Sequence, residues 1–237
     1  MKEITYNDIN IVHEDNHILV VVKPRNLPTQ LDESGDKSLL CLLKEYIKVN
    51  AKKEGNVFLG LVHRLDRPTG GVMVFAKTSK GAMRLAESMK EGEFEKRYFA
   101  VTIGIPKNKQ DTLEHYLYKD VKKNEVYTVP MATVGAKHAV LNYRVLQEIG
   151  DSHALLSINL ITGRSHQARV QLSAINAPIF GDQKYSAGKS PKGHNLALWA
   201  TELRFPHPTT RQVMVFKVHP PDEIPWNKFG VLTSGAV

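Results

Sequence analysis

Apolar positions in this chain recur with two different periods, and each stretch shows its element by the period it keeps. Ile18 to Lys23 is a short apolar run closed by Pro24, whose ring removes a backbone donor, so a buried strand is predicted to end at Lys23. Between Ser38 and Asn50, Leu39, Leu42, Leu43, Tyr46 and Ile47 return at helical spacing with Lys44 and Lys48 on the other side, which predicts an amphipathic helix. Val72 to Ala76 is read as a strand. Thr78 or Ser79 can cap the helix that follows, with Met83, Leu85, Ala86 and Met89 as its apolar residues and an end near Gly92.

Further along, the period drops to two. In Lys96 to Ile103, Phe99, Val101 and Ile103 project one way and Tyr98, Ala100 and Thr102 the other, so Tyr98 is expected off the most apolar face. Ala139 to Val145 and Ala154 to Leu160 alternate in the same way, and Leu196 to Thr201 and Gln212 to Val218 are read as later strands. After Thr162-Gly163, Ala168, Leu172 and Ile175 restore helical spacing until Asn176 and Pro178. A helix starting near Ser165 would put His166 and Arg169 on one face, opposite that stripe. Many alternating strands with only three convincing helices predict an α+β fold with a largely antiparallel mixed sheet and flanking helices. No repeat and no long Pro/Gly/Ser-rich linker appears, so residues 1–237 are read as a single domain.

Composition narrows the partners. Hydrophobic residues make up 42% and charged residues 24%, which allows an ordinary core without disulfides or metal. The net charge of +8 favours polyanions, although solubility alone would explain it equally well. Cys41, the only cysteine, lies among leucines and is expected in the core, and it cannot form an internal disulfide. Met1-Lys2-Glu3-Ile4 does not begin a signal peptide, and the longest apolar run is too short to cross a membrane, so no membrane partner and a cytoplasmic location are expected.

Two polar segments could carry chemistry. His63-Arg64-Leu65-Asp66-Arg67-Pro68-Thr69-Gly70-Gly71 sets Asp66 between two arginines, which would keep a partly buried carboxylate ionised; as a surface turn its ion pairs would be worth only about 0–1 kcal/mol. Thr162-Gly163-Arg164-Ser165-His166-Gln167-Ala168-Arg169 stands at a strand-to-helix junction, where unpaired amides favour phosphate; a capped helix with a charged face is the competing reading. The ten histidines are scattered and no cysteine pair supports them, so no metal is expected. There is no G-x-S-x-G elbow for a serine hydrolase and no phosphate-binding glycine loop for a nucleotide cofactor.

Taken in order, four elements resemble those of RluA-type pseudouridine synthases. They are Lys23-Pro24-Arg25-Asn26-Leu27-Pro28, the HRLD segment His63 to Gly71, the strand Lys96-Arg97-Tyr98, and Thr162 to Arg169; Pro178-Ile179-Phe180-Gly181-Asp182 and Tyr185 extend the match. Asn26 stands where the family usually has glycine, Gly70 where it has serine, and Ala168 where it has a larger aliphatic residue. Asparagine tolerates positive φ, so the first turn is expected to survive; Gly70 forgoes a hydroxyl near the active loop.

The resemblance implies a pseudouridine synthase fold with a central RNA-binding cleft, and isomerisation of specific uridines in structured ribosomal or transfer RNA by a monomer without a cofactor; many relatives carry an amino-terminal S4-type domain, but only 22 residues precede Lys23, so none is expected here. It implies Asp66 as the catalytic carboxylate, Arg169 as its ion-pair partner with Arg164 or Arg64 as substitutes, and Tyr98 against the target base. Arg64, Arg67, Arg164, His166 and Lys96 are the expected RNA contacts, His63 and Arg67 ranking lower because solvation would explain them equally well. The basic loops around Lys119, Lys122 and Lys123 and around Lys184, Lys189 and Lys192 would add RNA affinity. Asp66 could attack C1′, add to the base, or remove a ribose proton. Two rivals remain at this stage: a non-catalytic RNA-binding protein that keeps the fold, and a DNA-binding protein.

Overall fold

The structure is a computed structural model describing residues 4–52 and 54–233; the amino-terminal Met1 to Glu3 lie outside the described residues. Its main elements are β1 (Asn10–Glu14), β2 (Ile18–Lys23), α1 (Leu39–Asn50), β3 (Gly60–Leu61), β4 (Gly70–Ala76), α2 (Ser79–Lys90), β5 (Glu95–Ile103), β6 (Gln110–Asp120), β7 (Glu125–Val129), β8 (Lys137–Ile149), β9 (His153–Leu160), α3 (Gln167–Ala174), β10 (Leu198–Pro206) and β11 (Val213–Lys217). Among the described residues no helix is long and apolar enough to cross a membrane. Although no linker marks a boundary, contacts gather in two compact units, Met1–Glu95 with Ala200–Val218 and Lys96–Trp199 with His219–Val237.

In the first unit β1, β2, β4 and β10 are successive neighbours, β3 adds to β4 and β11 to β10. The strand β2 spans Ile18–Lys23 as its apolar run predicts, and pairs antiparallel with β4 from Ile18↔Ala76 to Lys23↔Gly71. Ile18, Val20, Val72 and Val74 pack with Leu85 of α2 and with Leu203 and Phe205 of β10. Every residue of β4 is buried, which explains why its sequence is a continuous apolar run rather than an alternating one.

Both helices of this unit are capped by a side chain, Ser38 accepting from the Cys41 amide and Thr78, one of the two expected caps, from the Gly81 amide. Two details depart from the sequence reading. Cys41 is half-buried rather than core, because Leu39, Leu42, Leu43 and Ile47 occupy the covered stripe of α1. Met83 is 63% exposed and Ala86 is exposed as well, because α2 packs through Gly81, Leu85 and Ser88, whose small members let the helix approach the sheet.

The second unit is an antiparallel sheet in the order β5, β9, β8, β6, β7. Leu117, Val126 and Ala139 form a core with Val170 of α3. Lys119, expected in a loop, lies in β6, which forms a hairpin with β7; only Leu113 and Leu117 of β6 are buried, too sparse an apolar signal to mark the strand. Tyr98 is buried rather than turned off a greasy face, since Tyr98 to Thr102 are buried without alternation. The helix α3 begins at Gln167, not near Ser165. His166 sits outside it at φ 52°, and Gln167 to Leu172 are buried all round, so the expected polar face shared by His166 and Arg169 does not form.

Candidate functional site

In the first unit, the sequence builds a turn with Asp66 at its first position. Thr69 donates its amide to the Asp66 carbonyl at 2.9 Å. On either side the chain is fixed from other elements: Thr29 Oγ1 donates to the Leu65 carbonyl at 2.8 Å, and Lys23 Nζ donates to the carbonyls of Arg67 at 3.1 Å and Thr69 at 2.7 Å. Gly71 follows at φ 125°, where a Cβ would stand 2.2 Å from the Ala200 carbonyl oxygen; only glycine lets the end of this loop enter β4 beside β10. Asn26 adopts φ 63°, the left-handed geometry its place in the family's glycine position requires.

The polar neighbours of Asp66 divide. Asp66 is half-buried, whereas Arg64 and Arg67 are exposed. Arg67 does not serve as the flanking cation expected for Asp66. Its guanidinium is taken by the 26–36 loop, donating to the Asn26 carbonyl at 3.2 Å and to Ser34 Oγ at 3.0 Å, and pairing with Asp36 and, at 3.9 Å, Asp32. His63 is no surface group either: its Nε2 accepts the Val74 amide at 3.1 Å, which fixes the neutral tautomer with the proton on Nδ1.

In the second unit, the Thr162–Arg169 segment is organised by one amide side chain. Gln167 Oε1 accepts from Thr162 Oγ1 at 2.8 Å and from the Arg164 amide at 2.9 Å, while its Nε2 donates to the Val140 carbonyl at 3.0 Å. Arg164 Nε donates to the His138 carbonyl at 2.9 Å. Lys96 Nζ lies 3.4 Å from where a Gly163 Cβ would stand, and burial holds its pKa below the ordinary lysine value. Lys96, Arg164, His166 and Arg169 therefore all meet this one segment or its immediate supports.

Arg169 is deeply held. Its Nε and Nη2 reach Asp182 Oδ2 and Oδ1 at 2.7 and 2.8 Å, with side-chain exposures of 8% and 0%. Asp182 Oδ1 also accepts the amides of Lys184 and Tyr185, and the Tyr185 ring lies 5.0 Å beneath the guanidinium. The Tyr185 hydroxyl accepts the Val126 amide at 3.0 Å and shares a hydrogen bond with His166 Nδ1 at 2.5 Å. Sequence reasoning gave no role to Asp182, Tyr185 or Lys23. Gly181-Asp182 and Tyr185 stood in the extended resemblance, but nothing periodic ties them to Arg169.

Comparison with known proteins matches these elements. The RNA pseudouridylate synthase family model covers residues 17–174, more than half of the chain. Ribosomal large subunit pseudouridine synthase D of Vibrio cholerae is 32% identical over 232 residues, covering 91% of this chain and 68% of the relative. YlyB of Bacillus subtilis strain 168, named an uncharacterized RNA pseudouridine synthase, is 30% identical over 222 residues, covering 92% of this chain and 71% of the relative. Against other D-type relatives, such as that of Salmonella typhimurium, this chain spans 63% of their length. Among solved structures, human RNA Pseudouridylate Synthase Domain Containing 4 superposes with a TM-score of 0.75 at 26% identity, covering 90% of this chain and 88% of its own. With the α+β architecture, the Asp66 turn and the Thr162–Arg169 segment all within or beside the matched span, the chain belongs to the RNA pseudouridylate synthase family, whose members isomerise uridine to pseudouridine.

Proposed function

We propose that this chain isomerises uridines in structured RNA, ribosomal or transfer, with Asp66 as the catalytic carboxylate. The reaction breaks the bond from uracil N1 to ribose C1′, turns the base, and joins C1′ to C5. C5 gives up its proton and N1 gains one, so nothing is oxidised and no group donor is consumed. An ionised carboxylate serves each of the three routes open to it: attack on C1′, addition to the base, or removal of a ribose proton. The observation that carries the reading is the turn at Asp66, anchored by Thr29, Thr69 and Lys23 inside the span that matches the family. A backbone held at the carbonyls of Leu65, Asp66, Arg67 and Thr69 positions its carboxylate in advance of substrate.

In this reading Arg169 is the arginine on which the Asp66 charge depends, and Tyr98 packs against the base. Arg64, Arg67, Arg164, His166 and Lys96 supply cations and donors for phosphate and base edges. Bringing a stacked uridine to such a site costs a few kcal/mol of unstacking, least in an RNA loop. Ribosomal RNA is the first substrate to try, because it is named for relatives of this chain. Purified protein is incubated with unmodified ribosomal and transfer transcripts, and pseudouridine is mapped by carbodiimide-dependent primer stops. New stops at discrete uridines are expected; binding of both RNAs without any stop would leave only an RNA-binding protein.

A further inference from the structure

The sheet of the second unit has two faces. Tyr98 stands opposite Ile158, and Ile158 opposite Tyr143, on the face where Ala139 meets Val170 of α3. Arg97 alternates with Tyr98 along β5 and so projects from the reverse face, where a groove of about 600 Å³ opens on the strands themselves. Two cross-strand rows line it. Arg97, Asn159, Asn142 and Thr112 stand side by side across β5, β9, β8 and β6, and Ser157, Arg144 and Gln110 make the row beside them. Neither row holds a hydrophobic residue. Gln147, farther along β8 and opposite Leu155, accepts the Val231 amide at 3.0 Å, so the carboxy-terminal segment meets the sheet there, while Arg97, Asn142 and Arg144 are exposed.

We propose that this groove is a second RNA-binding site, which takes the sugar–phosphate backbone of a single strand through Arg97 and Arg144 on the face of the sheet away from α3. The inference rests on RNA as the family's substrate and not on Asp66 as the catalyst. The lining is rich in donors: Thr112 Oγ1 donates to Asn142 Oδ1 at 2.9 Å, and the Asn142 amide keeps its N–H groups beside the two guanidinium forks. Such forks match phosphate oxygens, and the amides and hydroxyls between them match a 2′-hydroxyl, which both donates and accepts. The acid in the lining, Asp111, is engaged at both oxygens, Oδ2 by Asn108 Nδ2 and Oδ1 by the Thr112 amide, each at 2.8 Å. Tyr143 is buried and donates its hydroxyl to the Asn108 carbonyl at 3.1 Å, so it offers no ring for a base to stack on, and the contact is to backbone. A groove of this size holds a ligand on the scale of a nucleotide and not a duplex. RNA anchored there raises the local concentration of its own target uridine.

The probe is hexaadenylate RNA, which contains no uridine and so reports the groove independently of isomerisation. Nuclear magnetic resonance on the full chain should show saturable shifts in the amides of Arg97, Asn142, Ser157 and Asn159 as this RNA is added. The double variant Arg97→Gln with Arg144→Gln, both on an exposed face and therefore expected to fold, should bind it about 10-fold more weakly at low salt. Its affinity should also fall less steeply with salt, the logarithmic slope being shallower by about 1.4, about 0.7 for each phosphate contact given up. Shifts confined to Lys96 and the Thr162–Arg169 segment overturn the inference. Equal affinity and salt slope in wild type and variant, as for a face that serves a protein partner, overturn it too. On a ribosomal transcript the variant should raise KM about 10-fold. A wild type that gives these shifts yet forms no pseudouridine would sink the proposed function and leave the groove standing.

Discussion

Arg169 closes a bidentate ion pair on Asp182, Nε to Oδ2 at 2.7 Å and Nη2 to Oδ1 at 2.8 Å, where the carboxylate has no exposed surface. Removing the guanidinium strands a buried charge. Arg169→Met is expected to cost about 3–5 kcal/mol of unfolding free energy in urea titrations. Asp182→Asn keeps an oxygen for the amides of Lys184 and Tyr185 but carries no charge, so the double variant should recover more than half of that loss. An additive double variant would show that the pair is not what holds Arg169.

Tyr185 joins three groups, and its hydroxyl can be removed without its ring. Tyr185→Phe leaves the aromatic face under Arg169 but strands the Val126 amide and releases His166 Nδ1. A loss of about 1–3 kcal/mol is expected by urea denaturation. The nitrogen chemical shifts of His166 should change on loss of the Nδ1 partner, which they would not do if the hydroxyl did not hold the ring.

Asp15 supplies an acid-sensitive tie at the start of β2. Burial works to raise its pKa, but the amides of His17 and Ile18, the His13 side chain and the nearby His207 outweigh it and bring the pKa to about 2 from 3.8. The folded state thus holds the ionised form more tightly than the unfolded chain does. That stability is present above about pH 4 and is lost as pH falls toward 2. At pH 6, Asp15→Asn should be less stable than the wild type by about 2 kcal/mol. The gap should close on acidification; a gap independent of pH would mean that the carboxylate charge is not the source.

How far the sequence could be read depends on whether the deciding interaction leaves a period. The end of β2 at Lys23 was legible because Pro24 bars continuation, and the start of α2 because Thr78 is a good cap. The start of α3 was not. A glutamine side chain, Gln167, satisfies the groups at Thr162 and Arg164, and His166 takes a left-handed φ that its residue type does not announce. The hairpin β6–β7 was missed because half its length is solvated and its buried leucines are four apart.

The candidate residues divide along the same line. Asp66, Arg169 and Tyr98 are proposed from ordered motifs alone, and the same motifs made the positive φ of Asn26 legible. Partners did not. Asp182 lies thirteen residues beyond Arg169 in aperiodic chain, Lys23 reaches a turn from a distant strand, and Arg67 chose acids in the 26–36 loop over its sequence neighbour. Long-range pairing of charges is a property of the packed structure, and local spacing carries no record of it.

The measurement that bears most directly on the central claim is release of tritium from RNA labelled with [5-³H]uridine, because isomerisation must remove the C5 hydrogen. Wild-type protein and Asp66→Asn are compared at equal concentration on the transcript that shows carbodiimide stops, with matched circular dichroism and unfolding midpoints. The wild type should release tritium in step with pseudouridine formed, and Asp66→Asn should be slower by at least about 100-fold. Release by folded Asp66→Asn at a rate close to that of the wild type would contradict the account.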